Sequence, residues 1–200
     1  MGLQAHEKPQ PNPAGLQARN KPPRATLKCV TLFTMIRAPQ ETRTYFVTTV
    51  TANRRRAFQV ESNANLLVDT LFHYRDQQRF ALHAFVVMPD HVHLLLTPAP
   101  DVSLEKAVQF VKGGFSHRLG SRFPVWERSF NEEQIRSHLR FEQCRTYIEL
   151  NPVRAHLSAC PSDFPYSSAL SARQLDPTPC HFQTPSEAKA SLKPSPLSEA

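Results

Sequence analysis

Hydrophobic residues recur along the middle of the chain with two different periods. Some stretches alternate apolar or β-branched residues with polar ones, which predicts strands, and others repeat apolar residues every three or four positions, which predicts helices. The periods predict a strand, a helix, two strands, a helix, a short strand with a loop and a last helix, over residues 44–51, 63–78, 81–88, 91–98, 103–119, 126–135 and 137–151. The middle two strands form an antiparallel hairpin. This is the order of a ferredoxin-like α+β fold, a β-α-β-β-α-β core with an antiparallel sheet, plus a C-terminal helix that carries a tyrosine.

Capping signals locate the helix ends. Ser103 begins the second helix with a capping-box spacing, and Ser137 is the expected N-cap residue of the third. We expect the third helix to end at Asn151, because the ring of Pro152 pushes the preceding residue out of the helical region.

The two ends of the chain differ in composition from the middle. Ten of the 18 prolines lie within residues 9–23 and 177–196, among Gln, Asn, Ser and Ala with few aromatic residues. Such segments bury too little apolar surface to offset the entropy of ordering. We therefore expect one folded domain over residues 42–170, with disordered tails at residues 1–41 and 171–200.

Net charge and cysteine content restrict which classes of protein this chain can belong to. The net charge is +7, yet residues 1–28 hold five basic residues against one acid, so the predicted domain is only mildly basic. Nucleic-acid binding must then rest on local patches. No stretch approaches the roughly 20 apolar residues of a membrane span, and the four cysteines form no CxxC pair. These features favour a cytoplasmic protein with free thiols.

Two histidines, His91 and His93, occupy alternate positions of the strand "HVHLLL". Side chains two apart share a face of a strand, so the two imidazoles point the same way and can ligate one cation. For a bare HxH, a strand face that happens to carry two histidines is the simpler explanation, and two ligands alone make a poor metal site. With a two-residue turn, Val86 would pair with His93. His83 would then face the opposite side as a structural residue. Proline does not fit a type I′ turn, so a longer loop with another register stays open. Asp90 faces away from the pair if the strand has already begun there.

The last predicted helix carries a polar stripe beside its apolar one. Phe141, Cys144 and Ile148 mark the apolar stripe, and Tyr147 lies off it with Asn151 one turn later. From spacing alone, an ordinary boundary tyrosine with Asn151 at the helix end is the simpler interpretation.

Three segments, in this order, resemble one family. "HAFVVMPDHVHLLL", "VWERSFNEEQIR" and "YIELNPVRAHL" are similar to the single-tyrosine HUH transposases (insertion-sequence, IS200-like), where HUH denotes His-hydrophobic-His, and in particular to the REP-associated tyrosine transposases. The resemblance spans most of residues 44–158. The chain departs from the family pattern at Asp90, where asparagine is more familiar, and at His156, where the family usually has glycine, which alters the helix exit.

The resemblance implies a ferredoxin-like nuclease that nicks and rejoins single-stranded DNA, here hairpin (palindromic) DNA, in the bacterial cytoplasm with the nucleoid. It implies that His91, His93 and Asn151 bind Mg²⁺ or Mn²⁺. It also implies that Tyr147 attacks the scissile phosphate and leaves a 5′-phosphotyrosine and a free 3′-hydroxyl. Whether the protein is a monomer or a homodimer stays open, as does whether Tyr147 acts with the histidines of its own chain.

Basic residues near these segments are the candidate DNA contacts, because the guanidinium fork suits phosphate. The candidates are Arg54, Arg55, Arg56, Lys112, Arg118, Arg122, Arg128, Arg136 and Arg154. The run at residues 54–56 is the strongest of them, since a single arginine is more often a solvated surface charge. Phe123 or Trp126 could stack on a base, although we expect both in the core.

Two other functions are compatible with the same residues. A domesticated relative would bind hairpin DNA without cutting it. A metal-dependent phosphodiesterase would use activated water, with Tyr147 as a bystander. The intact His91, His93, Tyr147 and Asn151 argue against decay.

Overall fold

A computed structural model describes residues 42–170 and 175–182 of the chain. Its strands and helices are β1 (Thr44–Val50), α1 (Glu61–Asp76), β2 (Phe80–Val87), β3 (His91–Pro98), α2 (Leu104–Leu119), β4 (Asn131–Ile135) and α3 (His138–Arg154). This is the predicted order, and the α+β class is confirmed. The predicted tail at residues 1–41 lies outside the described residues. Among the described helices, none is long and apolar enough to cross a membrane.

The strands form one antiparallel sheet in the order β2-β3-β1-β4. β2 and β3 are joined by a two-residue turn, and Val86 pairs with His93 as that turn requires. β1 pairs with both β3 and β4, so that Thr48 lies between His93 and Asn131. The first strand thus lies between the third and fourth, which is the ferredoxin-like arrangement.

Helices cover both faces of the sheet. α1 and α2 pack on one face over the larger core, which includes Leu94 and Phe115. α3 packs on the other face over a smaller cluster that includes Leu95 and Ile148. Successive residues of β3 alternate between these two cores, so His93 lies on the α3 face together with Leu95.

The end of α3 differs from the prediction. The helix continues past Asn151 and through Pro152, because a proline ring fixes φ near the helical value and this ring is buried. It ends in a Schellman arrangement, in which the amide of Leu157 donates to the carbonyl of Pro152 and the amide of His156 donates to the carbonyl of Val153. The helix is therefore ended by the turn at His156, and Pro152 does not end it.

His156 occupies the left-handed position of this motif, with φ of 55°, where glycine is favoured. We expect His156→Gly to raise the free energy of unfolding by up to about 1 kcal/mol, because relief of left-handed strain of about 1–2 kcal/mol exceeds the added chain entropy. Ala155→Gly is the matched control. Ala155 has φ of −87°, so glycine relieves no strain there and should only lower the free energy of unfolding. Urea titration followed by circular dichroism measures both. A less stable His156→Gly would show instead that the imidazole itself holds the helix exit.

Part of the predicted C-terminal tail is packed against the sheet. Asp176 accepts two hydrogen bonds from Arg75 and one of 2.7 Å from the amide of Leu82, and Phe182 is buried in the smaller core. The expectation of disorder is therefore wrong for residues 175–182. The prediction of disorder came from composition, and composition carries no information about the pairing of one carboxylate with one particular arginine. The remainder of this tail lies outside the described residues.

His83 lies on the α3 face, and the expectation that it faces the opposite side is wrong. A β-bulge between Leu82 and Ala84 shifts the alternation of β2 by one residue. Nε2 of His83 lies 2.9 Å from the hydroxyl of Thr97, and its ring packs edge-on against Phe141. These buried contacts support the structural role expected for it.

Candidate active site

His91 and His93 lie side by side on the α3 face, with ring centroids 4.8 Å apart and the rings inclined at 76°. Nδ1 of His91 lies 2.6 Å from a carboxylate oxygen of Asp90, and Nδ1 of His93 lies 2.8 Å from the hydroxyl of Thr48. Each ring is thus anchored through Nδ1. This leaves Nε2 of each ring as the atom suited to ligate a cation.

Asp90 contacts the pair, because the condition under which it would face away is not met. The strand begins only at His91, and Asp90 still belongs to the turn. An ionised carboxylate only accepts hydrogen bonds, so Nδ1 of His91 carries the proton. Arg54 donates a second hydrogen bond to Asp90 at 3.3 Å. Burial would raise the pKa of Asp90, but the bonds from His91 and Arg54 outweigh it and lower the pKa, which keeps Asp90 ionised at neutral pH.

Burial dominates the electrostatics of His93, whose surface is only 6% exposed. Burial, and then the neighbouring His91, lower the pKa of His93 to about 3. The ring also stacks on Phe46, with centroids 5.4 Å apart. At neutral pH His93 is therefore a neutral, rigidly packed imidazole, which is the form that binds metal ions.

Tyr147 approaches the histidine pair from α3 of the same chain. Its ring centroid lies 5.4 Å from that of His93 and 5.9 Å from that of Phe46, edge-on to both. The guanidinium carbon of Arg154 lies 5.5 Å from the centroid of the Tyr147 ring. Since 38% of its surface is exposed, Tyr147 is accessible to a substrate while its ring is held against His93.

An N-cap, an ion pair and the apolar stripe position α3 above the sheet. The hydroxyl of Ser137 accepts from the amide of Arg140, as the capping signal predicted. The Arg140 guanidinium donates two 2.7 Å hydrogen bonds to the two carboxylate oxygens of Glu133 on β4. Phe141 and Ile148 are buried in the smaller core. Sequence reasoning missed the Glu133–Arg140 pair because it depends on where β4 lies in the sheet.

The residues around the pair fit a divalent cation by the chemistry of their donors. Each imidazole has a fixed orientation, and His93 lines an open cleft between β1 and α3 together with Thr48, Tyr147 and Arg154. Among the described residues, no three His, Cys, Asp or Glu side chains gather as metal ligands would. A cation held by His91 and His93 would then need further oxygen ligands. Asn151, one helical turn after Tyr147 and half-buried, stays a prediction as one of them.

Three of the predicted DNA-contacting residues are engaged within the protein. Arg55 donates to backbone carbonyls of its own turn and of Pro124. Lys112 donates to three carbonyls of the loop before β4, and burial lowers the pKa of its ammonium group. Arg118 donates to the hydroxyl of Thr70 and so links α2 to α1. Their hydrogen-bonding groups hold loops and helices together, which spacing in the sequence does not reveal.

The other predicted basic residues lie on the surface of the domain. Arg54 and Arg154 contact Asp90 and Tyr147, and both are exposed. The remaining candidates are exposed as well, and they are Arg56, Arg122, Arg128 and Arg136. Their contacts with DNA stay predictions.

The two aromatic candidates divide between core and surface. Trp126 is buried, packs on Phe58 and Phe115, and donates its indole N–H to the carbonyl of Lys112, so its expected core role agrees with the structure. Phe123 is 73% exposed, and the expectation of a core role is wrong for it. A tight turn before the buried strand-like segment projects its ring into solvent.

Fold and site together define a class of protein: a ferredoxin-like domain in which a strand with two same-face histidines meets a tyrosine on a following helix. Residues 40–151, more than half of the chain, match the model of the family described as "Transposase IS200 like". The chain belongs to this transposase family, whose members are DNA-cleaving enzymes that generally depend on a metal ion.

Individual relatives agree with the family assignment. The chain is 27% identical over 121 residues to a REP-associated tyrosine transposase of Escherichia coli (strain K12), over 60% of this chain and 73% of that protein. Its structure is similar to that of a REP-associated tyrosine transposase bound to a REP hairpin, with a TM-score of 0.58 and 28% identity over 68% of this chain and 82% of the other. The resemblance read from the three sequence segments is confirmed.

Proposed function

We propose that this protein cuts and rejoins single-stranded DNA at a hairpin, with Tyr147 as the nucleophile. The observation that carries the proposal is the contact between Tyr147 and His93 at an open cleft within one chain. The hairpin bound to the similar structure supports hairpin DNA as the substrate.

In the proposed reaction the phenolic oxygen of Tyr147 forms a bond to the scissile phosphorus, and the bond from phosphorus to the 3′-oxygen breaks. The phenol gives up its proton in the attack. The 3′-oxygen takes up a proton and leaves as a free 3′-hydroxyl, while Tyr147 keeps the 5′-phosphate. One phosphodiester replaces another, so its energy is conserved. A later attack by a 3′-hydroxyl rejoins the strand and releases Tyr147.

Neighbouring side chains prepare this attack. His91, His93 and Asn151 would hold Mg²⁺ or Mn²⁺, and the ion when bound would stabilise negative charge on the phosphate oxygens as a Lewis acid. Arg154 places positive charge against the Tyr147 ring, where it would attract the phosphate. Exposed arginines on the same domain would bind the flanking backbone.

Adduct formation tests the proposal. The substrate is a pool of end-labelled hairpin oligonucleotides with randomised single-stranded flanks, incubated with Mn²⁺. We expect a protein–DNA adduct that survives denaturing electrophoresis. Binding without cleavage would instead indicate a relative that only binds hairpins, and cleavage without an adduct would indicate attack by activated water.

The contact between Asp90 and His91 predicts that two substitutions of Asp90 weaken metal binding to different extents. Asp90→Ala should weaken Mn²⁺ binding by roughly 10- to 100-fold, because the ring of His91 loses the partner that fixes its orientation and its proton. Asp90→Asn keeps an acceptor oxygen and should stay within about threefold of the native protein. Electron paramagnetic resonance of free Mn²⁺ measures the affinity, and ¹⁵N shifts of His91 report its tautomer. Unchanged affinity and tautomer in Asp90→Ala would show that the carboxylate does not orient this ring.

A further inference from the structure

We infer that Phe123 stacks on an unpaired base of the bound strand, on a basic surface that adjoins the histidine pair. This basic surface consists of Arg54, Arg55, Arg56, Arg122 and Phe123. The inference rests on the proposed function in taking single-stranded DNA as the ligand, and it adds a binding contact outside the catalytic residues.

The fold holds the Phe123 ring in solvent. The hydroxyl of Ser121 donates to the carbonyl of Phe123 at 2.9 Å and lies 3.3 Å from its amide, which closes a tight turn. Arg55 donates to the carbonyl of the next residue, Pro124, and the chain then enters the core at Val125. A large apolar ring gains free energy by leaving water. The backbone is anchored on both sides of the exposed ring, which is available to an external partner.

Hydrogen bonds connect this ring to the candidate active site. Arg55 joins the Phe123 turn to the three-arginine turn after β1. The adjacent Arg54 donates to Asp90, and Asp90 accepts from His91. A DNA strand that places a phosphate at the histidines can therefore continue along this surface toward Phe123.

The charges of this surface favour a polyanion. Residues 52–56 and 120–127 contain the four arginines of this surface and one acid, Glu127. The carboxylate of Glu127 accepts from the amide of Asn53, and Asp90 is paired with Arg54. Basic side chains with an exposed aromatic ring are the combination that binds single strands, since the charges meet phosphates and the ring stacks on a base. In a duplex the bases stack on each other, so the ring selects unpaired DNA.

Two strands of equal charge test the inference. The probes are single-stranded dT20 and an abasic strand of 20 sugar-phosphate units, with binding measured by fluorescence anisotropy in EDTA so that no cleavage occurs. We expect the native protein to prefer dT20. Phe123→Ala should bind dT20 roughly tenfold more weakly and the abasic strand unchanged, and Phe123→Tyr should bind both as the native protein does.

Salt dependence separates stacking from charge. Phe123→Ala should leave the slope of log affinity against log salt unchanged, whereas Arg56→Gln should reduce it by about 0.7. Leu170→Ala removes another exposed apolar side chain (Leu170 is 48% exposed) and should change neither affinity. Equal binding of both probes by the native protein, or native affinity of Phe123→Ala for dT20, would overturn the inference. The adduct assay on native protein is separate, so a failure of the proposed function is recognised independently.

Discussion

Tyr147→Phe is expected to abolish the covalent protein–DNA adduct and to lower strand cleavage by roughly 10⁴- to 10⁶-fold, the range over which removal of a single catalytic residue lowers turnover. The variant keeps the ring that packs against His93 and Phe46, so the fold and the cleft should persist. It lacks only the oxygen that would bond to phosphorus. Denaturing electrophoresis of labelled hairpin DNA after incubation with Mn²⁺ measures both products.

Tyr45→Phe is the matched control for this change. Tyr45 precedes Phe46 on β1, but it points to the opposite face of the sheet and packs against the larger core. Its hydroxyl is remote from the histidines in this arrangement, and we expect native cleavage. An adduct that persists in Tyr147→Phe would identify another nucleophile. Undiminished cleavage without an adduct would point to activated water.

His91→Ala and His93→Ala should each lower cleavage by roughly 10³-fold, because each removes a ring whose Nε2 is suited to hold the cation, an ion that contributes several kcal/mol to charge stabilisation. DNA binding should change by less than about threefold, since phosphate contacts supply most of the affinity. Single-turnover cleavage and anisotropy measure the two effects separately. Thermal unfolding of each variant measures how much stability is lost, for example with the packing of His93 on Phe46.

His83→Gln is the control for this pair. His83 is also a buried histidine on the α3 face, but its contacts are with Thr97, Phe141 and the backbone of Asp176. We expect the variant to be less stable and to cleave normally under conditions in which it is folded. If His91→Ala and His93→Ala lose binding and cleavage in equal measure, the histidines contribute to affinity rather than to catalysis.

Local sequence patterns predicted the directions of side chains correctly where the alternation along a strand was uninterrupted. The period of two along "HVHLLL" predicted that His91 and His93 share a face, and the structure shows them side by side. The same reasoning failed at His83, where one bulged residue reverses the alternation. It does not apply at Asp90, because the turn, rather than the strand, sets the direction of that side chain.

Predictions from composition and from single residues were weaker. Proline content predicted a disordered C-terminal tail, yet Asp176 holds part of it through Arg75 and Leu82. Pro152 was expected to stop α3, but a buried proline with a helical φ is tolerated near a helix end, and the stop comes at His156. Each failure involves a partner or a backbone angle that neighbouring residues in the sequence do not specify.

By itself the sequence determined the order of the elements, the shared face of His91 and His93, and the helical spacing of Tyr147 and Asn151. It could do so because the period of the hydrophobic residues shows which side of each element is buried. Only the tertiary structure decided that Tyr147 meets His93. That contact requires β1 to lie between β3 and β4 and requires α3 to pack on the histidine face of the sheet. Such pairings depend on contacts between residues far apart in the chain, and a local hydrophobic pattern is the same whichever partner it eventually meets.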